Sequence, residues 1–172
     1  MQYLDRHLTE LSIDEEYSQG EHDAPRLSAE NLHRYLAKLL YSRRSSFDPL
    51  WNHTLVAGLD DKGKPFLAAA DLLGTTYSAP SLATGFGSAL AQPIMRRSVP
   101  DEESAAKLTR EAAVDIIKEC MKVLFYRDAR SLDSYSIAVI TADGVEIKEN
   151  EKLEGQSWAF AERIKGYGTQ VV

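Results

Sequence analysis

Leu124-Phe125-Tyr126-Arg127-Asp128-Ala129-Arg130-Ser131 closes a long amphipathic helix and leads straight into a hairpin, Tyr135 to Lys148. Upstream of it, Ala113, Ile116, Ile117, Cys120, Val123 and Leu124 recur at helical spacing as one apolar face. Lys107, Glu111, Asp115, Lys118 and Lys122 populate the opposite face. Downstream, Tyr135 to Thr141 and Val145 to Lys148 flank Ala142-Asp143-Gly144, turn chemistry that joins antiparallel strands. Beyond the hairpin, Ser157 reads as the cap of a last short helix holding Trp158, Phe160, Ala161 and Ile164, stopped at Gly166.

Towards the amino terminus the pattern alternates between the same two periods. Met1, Leu4, Leu8 and Leu11 predict an amphipathic helix, and the polar, acidic run Ser12 to Pro25 predicts a loop. Ser28 is placed to cap a second helix whose buried stripe is Leu32, Tyr35, Leu36, Leu39 and Leu40. After Pro49 the period shortens. His53 to Leu59 and Pro65 to Asp71 read as strands across the turn Asp60-Asp61-Lys62-Gly63, with a third strand, Thr75 to Ser78, after the Gly74 turn. Gly85 to Arg97 reads as a helix that Pro93 must kink or restart, and Pro100-Asp101-Glu102-Glu103-Ser104 as a loop and helix start favoured by the N-terminal dipole.

Composition narrows the function classes. The 172 residues are 44% apolar and 27% charged, ordinary values for a globular chain with one sizeable core. A formal net charge of -6 without a lysine-arginine stripe argues against a nucleic-acid surface. The local basic cluster Arg43-Arg44, with Arg34 and Lys38 nearby, falls at a helix end, where it opposes the dipole. Cys120 is the one cysteine, so no intrachain disulfide forms and a reducing compartment fits. No apolar run is long enough to cross a bilayer, and neither a membrane nor a leader is expected.

Several local runs, taken in order, carry a resemblance: Tyr41-Ser42-Arg43-Arg44-Ser45, Asp48-Pro49-Leu50-Trp51-Asn52, Asp71-Leu72-Leu73-Gly74, Ala79-Pro80-Ser81-Leu82-Ala83-Thr84-Gly85, Ala91-Gln92-Pro93 and Tyr126 to Ser131. In this order they resemble the proteasome beta subunit family, above all its non-catalytic members at the seventh ring position. The resemblance implies an α+β fold, part of the four-layer αββα sandwich of N-terminal-nucleophile hydrolases with antiparallel sheets. The chain starts at a position similar to the middle of the family's first helix. The expectation is therefore a single domain over residues 1–172, incomplete at its amino-terminal side relative to the family.

Active members of the family use an N-terminal threonine with an aspartate and a lysine on early strands. Of the later supporting residues, Asp128 and Ser131 match the family's Asp-x-x-Ser pattern, but Phe86 stands between Gly85 and Gly87 where a serine is expected. A phenyl ring neither relays nor orients a proton. The resemblance thus implies a subunit without a catalytic residue or a cofactor, whose partners are other beta subunits in the same and the opposite ring and alpha-ring subunits, in cytoplasm and nucleus. The alternatives are a threonine peptidase whose catalytic part lies outside this sequence, and a free-standing interaction domain.

Individual residues carry plainer readings beside the sharp ones. Asp128 reads foremost as a structural acceptor bracing the turn with Arg127, Arg130 and Ser131. His7, His22, His33 and His53 lack the paired spacing of a metal site, so no metal is expected and hydrogen-bonding or solvated roles are preferred. Asp60 and Asp61 read as turn residues beside Gly63. Candidate interface residues are Arg43, Arg44, Trp51 and Tyr167, since large aromatics and arginines dominate association energetics. Trp158 is assigned to the core.

Overall fold

The computed structural model describes residues 2–18, 27–163 and 166, with residues 2, 3 and 13–18 described by their backbone alone. It divides into two compact units, Met1–Gly85 with Ile140–Val145, and Phe86–Val139 with Glu146–Val172.

In the first unit, helix α1 runs over Gln2–Ser18 and helix α2 over Ala29–Ser45. The loop expected from Ser12 is therefore helix as far as Ser18. The acidic run misled because it is polar, yet Glu15 and Glu16 are good helix formers and no glycine or proline intervenes before Gly20. Leu4, Leu8 and Leu11 lie half-buried along α1. Ser28 caps α2 by accepting the Asn31 N–H at 3.3 Å.

Strands β1 (Thr54–Leu59), β2 (Pro65–Ala70) and β3 (Thr76–Ser78) form an antiparallel sheet in that order. The register pairs Thr54 with Ala70, Leu59 with Pro65 and Ala68 with Ser78. Its two turns use one device. The Asp60 carboxylate accepts the Lys62 and Lys64 N–H groups, both at 2.8 Å. Asp71 accepts those of Leu73 and Thr75 at 2.9 and 3.0 Å. Gly74, at φ 80°, supplies the left-handed residue of the second turn.

Ala68, Ala69 and Ala70 are buried in β2, and α2, with Leu36 and Leu40 buried, packs against β1 and β2. The approach is close. A β-carbon on Gly58 would stand 2.6 Å from Ala29 Cβ, and one on Gly74 2.6 Å from Tyr41 Cβ.

The second unit holds α3 (Gly87–Ser98), α4 (Glu102–Ala106), α5 (Arg110–Arg127) and the hairpin β4 (Ser134–Thr141) with β5 (Gly144–Lys152), except for the hairpin tip Ile140–Val145, which groups with the first unit. Helices α3 and α5 pack together. Ala91, Met95 and Val99 are buried there, and the Cys120 thiol donates to the Ala91 carbonyl at 3.7 Å. Burial pushes the Cys120 pKa up, with the Glu119 charge adding to the effect.

Pro93 lies inside α3, and the helix neither restarts nor stops there. Two caps divide the region that the sequence joined: Asp101 accepts the Ser104 N–H at 2.8 Å and opens α4, and Thr109 accepts the Ala112 N–H at 3.2 Å and opens α5. Lys107 therefore belongs to the end of α4 rather than to the long helix. Ile117, assigned to the apolar face, is 38% exposed, because steps of about 100° per residue put it at the flank of a stripe centred on Cys120.

The last helix is also reduced. Only Ala161–Arg163 forms a 3-10 turn, and Ile164 lies outside the described residues. Trp158 and Phe160 stack with centroids 5.7 Å apart, and both meet Tyr126 edge-on at 5.2 and 5.4 Å. Residues two apart do not share a helix face, so keeping both rings on Tyr126 excludes the helix. Trp158, assigned to the core, is 54% exposed. The architecture is α+β with antiparallel pairing.

Candidate functional site

Two groups of residues carry the chemistry raised by the sequence: the turn at Gly85-Phe86-Gly87, and the turn after α5. Gly85 adopts φ 60°, and a β-carbon there would meet open space, so its glycine serves backbone conformation rather than close packing. Phe86 follows as the N-cap of α3 with φ -61° and no side-chain cap bond. Its carbonyl accepts the Ala89 and Leu90 N–H groups at 3.1 Å, and its residue surface is 62% exposed. Its backbone is in the right-handed helical region, unlike the extended Ser28, Asp101 and Thr109 caps, and phenylalanine brings no polar group to the helix start.

Asp128 is the C-cap of α5, its N–H bonded to the Leu124 carbonyl at 2.8 Å. Its carboxylate accepts the Arg130 N–H at 2.9 Å, and its carbonyl accepts the Ser131 N–H at 3.0 Å. The Ser131 hydroxyl donates to the Asp128 carbonyl at 2.7 Å, with the Phe125 carbonyl at 3.3 Å. These bonds brace the turn. They do not activate a nucleophile, because a backbone carbonyl is not a base that takes a proton from a hydroxyl. Among the described residues no hydrogen bond joins Asp128 or Ser131 to Phe86, Arg127 or a histidine.

The described histidines, His7, His33 and His53, have separate partners. His33 is buried on α2, with Nε2 2.8 Å from the Ala69 carbonyl and its ring edge towards Phe66. His53 Nε2 lies 2.9 Å from the Tyr77 hydroxyl. His7 bonds to the Tyr35 hydroxyl and stacks on that ring. His22 lies outside the described residues. Among the described residues no cluster of His, Cys, Asp or Glu is arranged to hold a metal ion, and no helix is long and apolar enough to cross a membrane.

Within the second unit, an open groove of about 250 Å³ runs between α5 and the hairpin, lined by Arg110, Asp115, Lys118, Tyr135, Glu146 and Lys148. Two of its cations share one carboxylate: Arg110 pairs with Glu146, and Lys148 lies 3.4 Å from the same group. The Arg110 hydrogen bond, more than its charge alone, holds Glu146 below the ordinary carboxylate range.

The interface candidates divide. Arg43 reaches forward to Asp48, donating from Nε to its carbonyl at 2.8 Å and pairing with its carboxylate at 2.9 Å. Arg44 is exposed, and Trp51 is 86% exposed. Tyr167 lies outside the described residues. The sequence reading passed over Phe47, which is 97% exposed at φ 56°. No glycine marks its turn, so the one available signal was the end of an apolar helical period before Asp48-Pro49.

Comparison with known proteins points one way. The proteasome family model, described as "Proteasome subunit", matches residues 1–140. The "Probable proteasome subunit beta type-7" of Schizosaccharomyces pombe is 47% identical over 172 residues, covering 99% of this chain and 64% of the relative. The "Proteasome subunit beta type-7" of Saccharomyces cerevisiae is 42% identical over 174 residues, covering 100% of this chain and 65% of the relative. The "Proteasome subunit beta type-4" of Xenopus laevis is 39% identical over 166 residues, covering 96% and 65% respectively. The chain thus spans 64 to 65% of the length of these curated relatives.

Proposed function

We propose, since this chain belongs to the proteasome beta subunit family, that it is a non-catalytic structural subunit of the 20S core particle, at the seventh position of the beta ring. The observation that carries this reading is the side-chain chemistry of the two turns. Phe86 stands where the family resemblance expects a serine, and the polar atoms of Asp128 and Ser131 engage backbone groups. Catalysis by an activated hydroxyl needs a base in hydrogen-bond reach and a group orienting that base. Asp128 and Ser131, held on backbone groups, form no such set with Phe86.

In this reading the chain is a single proteasome-type domain contributing to the four-layer sandwich of the family. It holds neighbouring beta subunits in its ring and contacts an alpha subunit on one side and the opposite beta ring on the other, in cytoplasm and nucleus. Its part in hydrolysis is positional: it helps wall a chamber that confines unfolded substrate near threonine sites supplied by other chains. Ubiquitin-dependent degradation is the process it serves.

The Asp128-x-x-Ser131 match favours one competing reading, an active threonine peptidase whose nucleophile segment lies outside this sequence. The two separate in one experiment. Core particles isolated through a tag on this chain are treated with a threonine-directed epoxyketone probe. Label on other beta subunits and none on this one is expected, and label on this chain defeats the non-catalytic assignment.

A further inference from the structure

Helix α2 ends in a motif whose usual occupant is missing. The Phe47 N–H donates to the Arg44 carbonyl and the Asp48 N–H to the Arg43 carbonyl, each at 3.1 Å, the paired bonds of a Schellman cap. The left-handed residue of that cap is ordinarily glycine, because a β-carbon there crowds the following carbonyl. Here it is Phe47, at φ 56° and with 97% of its surface in solvent. The position therefore carries backbone strain and an exposed aromatic ring together, and so exposed a ring gains almost nothing from packing within the chain.

The segment is nonetheless held firmly. Arg43 fastens Asp48 through both its carbonyl and its carboxylate, and Pro49 fixes the next backbone angle. Four residues beyond Phe47, Trp51 is 86% exposed. The Arg43 charge is matched by Asp48, whereas Arg44 faces solvent with no ion pair among the described residues. Phe47 on the braced cap, the unmatched Arg44 before it and Trp51 after it place two exposed rings and one cation within a short stretch of chain. Aromatic anchors of this kind contribute most when they enter a desolvated pocket, and bracing them beforehand lowers the entropy lost on docking. The surplus cation selects a rim of opposite sign.

We infer that Phe47 and Trp51 are a docking anchor that seats in an apolar socket, rimmed by carboxylates, on an adjoining subunit of the particle. The inference rests on the subunit reading above. It separates from a purely structural role because Phe47→Gly moves folding and assembly in opposite directions. Glycine relieves the left-handed strain, so the full-length variant melts several degrees higher than the wild type. The same change removes the anchor, so its share in assembled core particle falls about tenfold or more in competition with the wild-type chain. Arg44→Glu lowers incorporation by more than the small fall in melting temperature from the reversed charge at the helix end accounts for.

Phe47→p-benzoylphenylalanine, irradiated within the isolated particle, gives a covalent link to an identified proteasome subunit at a segment containing apolar and acidic residues. Normal incorporation of Phe47→Gly, or irradiation that links no other subunit, overturns the anchor while leaving the subunit reading intact. Absence of the wild-type chain from core particles overturns both.

Discussion

Asp60 and Asp101 each hold a turn or cap with one carboxylate, and both are therefore acid-sensitive. The Lys64 N–H, assisted by the Lys62 N–H and the two nearby ammonium groups, holds the Asp60 pKa below its ordinary 3.8. The Ser104 hydroxyl, followed by its N–H, does the same for Asp101. Because the folded pKa values are depressed, the stabilisation is complete above the unfolded value and is lost as pH falls through the lower folded values. In urea titrations from about pH 5 to about pH 2, the wild-type midpoint should fall more steeply than that of Asp60→Asn/Asp101→Asn, which keeps the acceptors but not the charges. Parallel acid limbs would remove these two carboxylates from the account.

Some of this residue-scale detail was legible. Asp60 as a turn residue follows from Asp60-Asp61-Lys62-Gly63, and Ser28 as a cap follows from its position before an apolar stripe. His33 was open to finding as well, since 33, 36 and 40 are spaced i, i+3, i+7 and all three residues are buried. Phe47 was not, because a left-handed phenylalanine carries none of the glycine signal by which such turns are read.

At the scale of elements, the joint between α2 and the three-stranded sheet depends on a filled site and an empty one. Leu40 is fully buried, and Leu40→Ala should cost about 2–5 kcal/mol in urea or thermal unfolding. Gly58→Ala should cost about 1–3 kcal/mol, since its methyl group would lie 2.6 Å from Ala29 Cβ. Adding Ala29→Gly to Gly58→Ala should recover a large part of that loss; no recovery would show that the helix–strand approach is not what limits the site. The elements themselves follow from periodicity wherever caps or turn residues are local, as in β1–β2 and α5. They departed where polarity was read as a loop, at the end of α1, and where two aromatic rings sought one partner, at Trp158 and Phe160. The division of α4 from α5 rests on Thr109, a cap that an unbroken run of helix formers around it conceals.

At the scale of the whole molecule, each compact unit has its own buried residues, Leu36, Leu40, Val56 and Ala68–Ala70 in one, Ala91, Met95, Val99, Cys120 and Tyr135 in the other. Family membership was legible from the order of short motifs, whereas no composition or period pointed to it. The hairpin leaves Val145 and Ile147, alternate residues of β5, 60% and 61% exposed. Val145→Thr/Ile147→Thr should therefore reduce binding of a hydrophobic dye and slow aggregation of the isolated chain, with little change in its melting temperature. An unchanged dye signal would place the accessible apolar surface elsewhere.

One phenol sets the fate of the segment after the hairpin. The Tyr126 hydroxyl accepts the Ser157 N–H at 2.6 Å and donates to the Ser157 carbonyl at 3.0 Å, so a single oxygen imitates the rung that a neighbouring strand would offer. Beside it the Lys122 ammonium donates to the Gly155 carbonyl at 2.8 Å, so the phenol supplies two of the segment's ties from a residue thirty-one positions away. Tyr126→Phe keeps the ring stack and cuts both ties at a stroke, which makes residues 153–163 the first place a protease should nick, with the helix beneath left whole.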